Sequence, residues 1–549
     1  MGRLLGAGVS VLIQRVVLDR VWPPPPKSDA GRTETVDLRI VGDRIAEIAP
    51  RLRERPGDVV VDGLGGPVLP GFHDHHVHLR AWAATAASVQ AGPPEVRTAA
   101  DLTRRLQTAP GRAGSWVRAI GYHESVAGDL DRTRLDRLLA DRPLRVQHRS
   151  GTLWILNSRA IEALGLDPVG PPPARHGVLK RIDRGGSDAG RSENSTARTE
   201  TVPLPTGVEI DAAGHATGRV WRADRWLRGR LADVGAAQPL DLGTISRRAA
   251  ASGVTGFTDA TPDHGDDDVA ALVDAQRDGS ILQRLHLMTG AHSALDRLLP
   301  MGSSRGGTPK ATEHRRSGPS EPRALVTQGP VKLLLDDAHL PSFDELVSTF
   351  RAAHDRGRSV AVHCVTRTQA VLTASALGEA GPIRGDRMEH GAVLGSDLLP
   401  TLCALGLTVV TQPGFVLERG DQYLADIDRE DLGDLWRLRS LLDAGVPVAL
   451  STDAPFGPQD PWMTVGVAAS RRTVEGRSLG PTEQISPRWA VALFLGHPER
   501  PGLARVVAPG AVADLMVLAG ALDDGLATRS PAVLATIVAG AVVHLVDAN

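Results

Sequence analysis

Short apolar runs, each only a few residues long and separated by turn-forming or charged stretches, set the first expectation for this chain. Over residues 9 to 69, "VSVLIQRVVL", "TVDLRIVG", "RIAEIA" and "VVVDG" read as β-strands, with "GDR" as a tight turn between two of them. The same style returns at the other end in "ADLMVL", "ATIVAG" and "AVVHLV". Chain termini often lie together, so the two stretches are expected to build one small β-domain. Between them, "GVTGFTDA", "LQRLHLMTG", "GPVKLLLDD", "SVAVHCVT", "DRMEHGAV", "LTVVTQP" and "PVALSTDAP" alternate with longer helical stretches. Strands alternating with helices predict an α/β fold with a parallel sheet or barrel.

Two segments break the pattern. Residues 183–206 and 301–323 are rich in Gly, Ser, Pro and charge and read as mobile loops. No internal repeat is found. At 549 residues the chain is too long for one ordinary core, which suggests a large domain with a companion or insertion.

Composition narrows the function. The apolar fraction of 42% is that of a globular protein, and a net charge of −2 leaves no basic excess for nucleic acid or a membrane surface. No run approaches the ~20 apolar residues of a spanning helix, and "LLGAGVSVLI" lacks a small-residue cleavage site, so it reads as a strand. Two cysteines, Cys364 and Cys403, permit one bridge at most, which fits a reducing cytoplasm. The expected partner is a small-molecule substrate, with neither nucleic acid nor membrane; a homodimer is left open.

Candidate chemistry starts at "GFHDHHVHL", residues 71–79. In a strand, Asp74, His76 and His78 share one face while His73, His75 and Val77 share the other. Two imidazoles on one face can hold a cation such as Zn²⁺, Fe²⁺ or Mn²⁺, with the remaining ligands supplied from elsewhere. Alone, such a pair is as well explained by polar residues at a strand end. However, "VAVH" ends in His363, "RMEH" in His390 and "VALSTD" in Asp453, each after an apolar run and before a loop. In a parallel barrel such positions converge on one mouth, where catalytic sites sit.

Lys332 adds to this set. It lies inside "GPVKLLLDD", in a chain whose 62 basic residues include only four lysines (Lys27, Lys180, Lys310 and Lys332). An unpaired ammonium is expensive to bury. A lysine amine of lowered pKa can react with carbon dioxide to give a carbamate, an anionic ligand able to bridge two metals, whereas the guanidinium of arginine stays protonated. The alternative is a buried ion pair with Asp336 or Asp337.

The stretches "VLPGFHDHHVHL", "GPVKLLLDD", "VAVHC", "DRMEHG", "LSTDAP" and "VAPGAVADLMVL", in that order, resemble the amidohydrolase superfamily, and within it the branch of large metal-dependent hydrolases with an inserted arm. The resemblance implies a (β/α)8 TIM-type barrel over residues 67–504, an inserted α/β arm over 80–245 after the first barrel strand, and a small β-sandwich from residues 1–66 and 505–549. It implies that His76 and His78 bind the more buried of two divalent ions, expected to be zinc. Carbamylated Lys332 would bridge the pair, His363 and His390 would bind the second ion, and Asp453 would contact metal and move the proton. His73 and His75 are then packing or supporting residues. His123, Trp154 and Gln412 fall where relatives approach substrate, and His286 reads as a core histidine.

The implied reaction is hydrolysis of a C–N bond, in an amide, formamide or cyclic amide, by a metal-bound hydroxide. A deaminase, an ester or lactone hydrolase, and a barrel that binds small molecules without turnover are the alternatives. Departures from the family pattern at "DDAHLPSFDEL", "CVTRTQA" and Thr152 mean that substrate choice is not inherited.

Overall fold

The computed structural model describes residues 10–19, 34–93, 95–112, 114–166, 178–179, 202–203, 207–236, 240–262, 264–290, 324–527 and 531–546. The segment 301–323 lies outside the described residues, as does 183–206 apart from Val202–Pro203.

Eight parallel strands form the central sheet: β1 (Phe72–Val77), β2 (Val254–Asp259), β3 (Arg284–Thr289), β4 (Val326–Leu334), β5 (Val360–Cys364), β6 (Arg387–His390), β7 (Thr408–Thr411) and β8 (Val448–Leu450). They pair in chain order. The ends are joined where the His78 amide donates to the Ala454 carbonyl (2.8 Å) and the Asp453 amide to the His76 carbonyl (2.9 Å), so the sheet is a nearly closed (β/α)8 barrel. Strands buried on both faces carry near-continuous apolar runs, such as Val360, Ala361 and Val362 in β5.

Helices follow the strands with local signals of their own. Phe343–His354 begins at a capping box in which the Ser342 hydroxyl accepts from the Glu345 amide while the Glu345 carboxylate accepts from the Ser342 amide. Arg367–Ala380 starts on Thr366, whose side chain accepts from the Gln369 amide. Each cap aims a helix back from the carboxyl end of one strand to the amino end of the next.

Strands from both chain ends share a second, eight-stranded sheet, in the order Ala541–Leu545, Val533–Val538, Leu515–Leu518, Pro67–Pro70, Val11–Leu18, Val36–Val41 and Arg44–Ala49, with Val59–Asp62 also on Val11–Leu18. Ile13, Leu38, Val61, Val517 and Ile537 fill its core. By compactness the chain divides into one unit of residues 1–82 and 242–549, and a second of residues 83–241. The second unit has its own six-stranded sheet, running Val208–Ile210, Ala216–Trp221, Leu153–Leu156, Leu144–His148, Val117–Tyr122, Val89–Gln90, and its own core around Leu102, Leu135, Val146 and Ile155. Both cysteines are free, and among the described residues no helix is long and apolar enough to cross a membrane.

Candidate metal centre

The carboxyl ends of β1, β4, β5, β6 and β8 bring the expected set together. Asp453 Oδ1 lies 3.4 Å from His78 Nε2 and 3.7 Å from His76 Nε2, and Asp453 Oδ2 lies 3.9 Å from His390 Nδ1. One donor atom from each of His76, His390 and Asp453 falls within 4.8 Å of the others, the spacing of a shared cation. The His363 ring packs on His390 with centroids 4.5 Å apart, and His76 on His390 at 4.8 Å.

The backbone is bent to achieve this. His390 and Asp453 adopt φ values of 70° and 56°, a left-handed conformation that non-glycine residues rarely take and that costs roughly 1–2 kcal/mol each. Strain of that kind persists only where the surroundings impose it.

Electrostatics favours neutral imidazoles. Burial first, then nearby positive charge, holds His76 and His390 well below the ordinary histidine range, and His363 is pushed down to about 3 by burial and by Lys332. A neutral ring offers a lone pair to a cation at neutral pH. Lys332 is buried, and burial lowers its amine to about 8 in spite of the nearby Glu389 carboxylate. Its Nζ has no hydrogen-bond partner among the described residues, nor has the buried Asp453 Oδ1. The alternative pairing with Asp336 or Asp337 is not formed: Asp336 caps the turn that follows β4, and Asp337 bonds Thr366 and Gln369. Two orphaned buried atoms beside convergent imidazoles are what a missing cation leaves behind.

A model of the amidohydrolase family matches residues 59–544. The chain belongs to that family. It is 26% identical over 510 residues to the N-substituted formamide deformylase of Arthrobacter pascens, covering 84% of this chain and 87% of that protein. Among solved structures it is similar to an uncharacterised metal-dependent hydrolase of Pyrococcus horikoshii OT3 (TM-score 0.61, 17% identity, 93% of this chain and 97% of that one) and to another of Pyrococcus furiosus (TM-score 0.59, 19% identity, 88% and 93%). Those likenesses establish the shared fold. Family membership makes the protein a hydrolase.

In this amidohydrolase the ring orientations are set by side chains that the sequence did not single out. His76 Nδ1 bonds a Glu389 carboxylate oxygen, whose partner oxygen accepts from Arg387 Nε; Arg387 Nη2 in turn donates to the His75 carbonyl at 2.7 Å. His78 Nδ1 meets Thr261 Oγ1 at 3.0 Å. With Nδ1 engaged, Nε2 of both rings is the atom turned towards Asp453. Such anchors fix tautomer and direction of metal-binding histidines. The one sequence signal for Glu389 was its place in "RMEH", and strict alternation would have turned it away from His390.

Other expectations need correction. Gln412, expected to meet substrate, is fully buried: its Oε1 lies 2.7 Å from His390 Nδ1 and its amide donates to Ser451 Oγ and the Val410 carbonyl. It positions a ring instead. Trp154 is a core residue of the 83–241 unit, packed with Leu156, Ile161 and Val220 and bonded through Nε1 to Asp224. Its large apolar surface belongs inside. His123 caps the short helix Glu124–Ala127 of the same unit, its Nδ1 accepting from the Ser125 amide. His73 and His75 are both buried, and the β1–β2 register shifts twice, so simple alternation does not describe β1.

Proposed function

We propose that this amidohydrolase is metal-dependent and cleaves the C–N bond of a small amide, with N-substituted formamides the first class to test. The observation that carries the reading is the orphaned Asp453 Oδ1 facing two imidazoles whose Nδ1 atoms are already engaged. The relationship to the Arthrobacter pascens deformylase supports the substrate class.

His76, His78, His363, His390 and Asp453 would hold divalent ions, expected to be two zinc ions, with Lys332 bridging them as a carbamate. When bound, a divalent ion supplies polarisation of a carbonyl and a nucleophile from water at neutral pH, where free water has a pKa near ~16. Lys332 fits this role chemically: its lowered amine pKa makes the neutral, carbon dioxide-reactive form accessible, and the resulting anion would meet the need left by the unpartnered Nζ. Asp453 takes the proton that the attacking water gives up and returns it to the departing nitrogen, so that an acid and an amine leave. Glu389, Thr261 and Gln412 keep the rings in place while this occurs. Loss of the proton carrier in Asp453→Asn should abolish formamide hydrolysis while metal remains bound; turnover unchanged in that variant would refute the assignment.

A further inference from the structure

The amino-terminal end of the same barrel holds a cavity of about 280 Å3, bounded by the first residues of β1 to β4 and by chain around residues 497–514. Small-molecule sites begin near this size, at about 300 Å3. Bulky branched residues ordinarily fill a barrel interior, and its amino-terminal face ordinarily serves stability. Here the backbone instead makes room for imidazoles. A Cβ on Gly256 would fall 2.3 Å from His73 Nδ1, and one on Gly329 would fall 3.2 Å from His286 Cδ2. Both rings are buried and held by hydroxyls, His73 Nε2 by Thr258 Oγ1 and His286 Nδ1 by Thr327 Oγ1, each at 2.8 Å.

Positive charge dominates the walls. Arg44, Arg284 and Arg505 line the cavity, against Asp514 as the acidic residue among the described lining. Arg284 Nε bonds Asp514 at 2.7 Å, which takes up that carboxylate. Arg505 is braced by the carbonyls of Leu495, Gly496 and Gly71, which hold its guanidinium in a fixed direction. Burial, and after it the charges of His75 and Arg505, keep His73 well below its ordinary range, so the cationic excess reaches into the cavity floor. Leu285, Leu325, Val506 and Val512 supply apolar wall.

We propose that this cavity binds a small organic carboxylate, its charged end at Arg505 with Arg44 beside it and its compact apolar body against Leu285, Leu325 and Val512. A planar guanidinium matches a carboxylate edge with two hydrogen bonds. Inorganic phosphate has no apolar body to exchange for the water it would lose against those walls. The inference is independent of the chemistry at the opposite mouth.

The test is calorimetric titration of the full-length, metal-loaded protein with benzoate, benzyl alcohol and inorganic phosphate. Asp453→Asn is included because a carboxylate could also enter the metal centre. The expected result is one equivalent of benzoate bound by wild type and by Asp453→Asn, weakened about tenfold or more by Arg505→Gln, as loss of a charged hydrogen-bond partner implies. Leu325→Trp, which fills the cavity, should weaken it similarly, and benzyl alcohol and phosphate should not bind. Should Arg505→Gln fail to fold, Leu325→Trp and Arg44→Gln give the same reading. Absence of saturable benzoate binding would overturn the proposal. So would binding that disappears in Asp453→Asn but survives Leu325→Trp, or phosphate binding as tightly as benzoate.

Discussion

At the carboxyl ends of the barrel strands, His76 and His78 have Nδ1 tied to a neighbouring side chain and Nε2 turned towards an unsatisfied aspartate oxygen. At the amino ends, His73 and His286 are tied to threonine hydroxyls and border a cavity with arginine walls. The two ends are built from the same strands and the same side-chain type. What differs is the charge that each collects: carboxylates and a neutralisable lysine above, guanidinium groups below. Histidine content alone therefore does not mark a metal site; the acid that faces the ring and the anchor behind it do.

The strongest way to break this comparison is at Asp453. Asp453→Asn keeps the side-chain shape but removes the proton acceptor, and kcat for formamide hydrolysis is expected to fall on the order of 10³-fold with fold and metal content retained. Steady-state kinetics beside metal analysis checks this, and a fall of less than ten-fold would count against the proton-carrying role. Next is the anchor. Glu389→Gln should weaken metal affinity by roughly 10- to 100-fold, because His76 loses its carboxylate partner and Arg387 its counter-charge. Competition with a chelator reads the affinity without reference to turnover.

The floor provides the contrast. His73→Leu should leave metal stoichiometry at the wild-type value and shift unfolding free energy by no more than ~2 kcal/mol, the scale of one buried hydrogen bond to Thr258. Metal loss in that variant would show that the two ends are not separate. The smallest effect lies outside both. Burial pushes the Glu483 carboxyl up, but donors from Ser440, the Leu438 amide and Arg437 outweigh it and set the group below its ordinary range. A depressed carboxyl stabilises the fold above its unfolded pKa and loses that contribution as pH falls through the folded value. Denaturant midpoints should therefore fall as pH drops below about 4, and Glu483→Gln, already less stable at pH 7, should show a shallower decline.

Much of the mouth was legible in the sequence because apolar strand runs ending in a single polar residue are a period-two signal, and a parallel barrel collects those ends. His76, His78, His363, His390, Asp453 and Lys332 all lie on that pattern, and the structure places them side by side. Glu389 was not legible, since it precedes His390 and regular alternation would send the two to opposite faces. The left-handed backbone at His390 removes that restriction. Gln412 was found in the right strand end but with the wrong neighbour, because sequence gives the strand and not the depth. Trp154 followed its apolar run into a core. The cavity at the floor was invisible for another reason: it needs Gly256 and Gly329 opposite His73 and His286, residues far apart in the chain.

The central claim is that the mouth holds a pair of divalent ions bridged through Lys332. Elemental mass spectrometry on protein purified without chelator, for wild type and for Lys332→Ala grown with bicarbonate, addresses it directly. The account predicts about two ions per chain in wild type and a clear drop in the variant. A single ion unaffected by the substitution, or none in either protein, would contradict it.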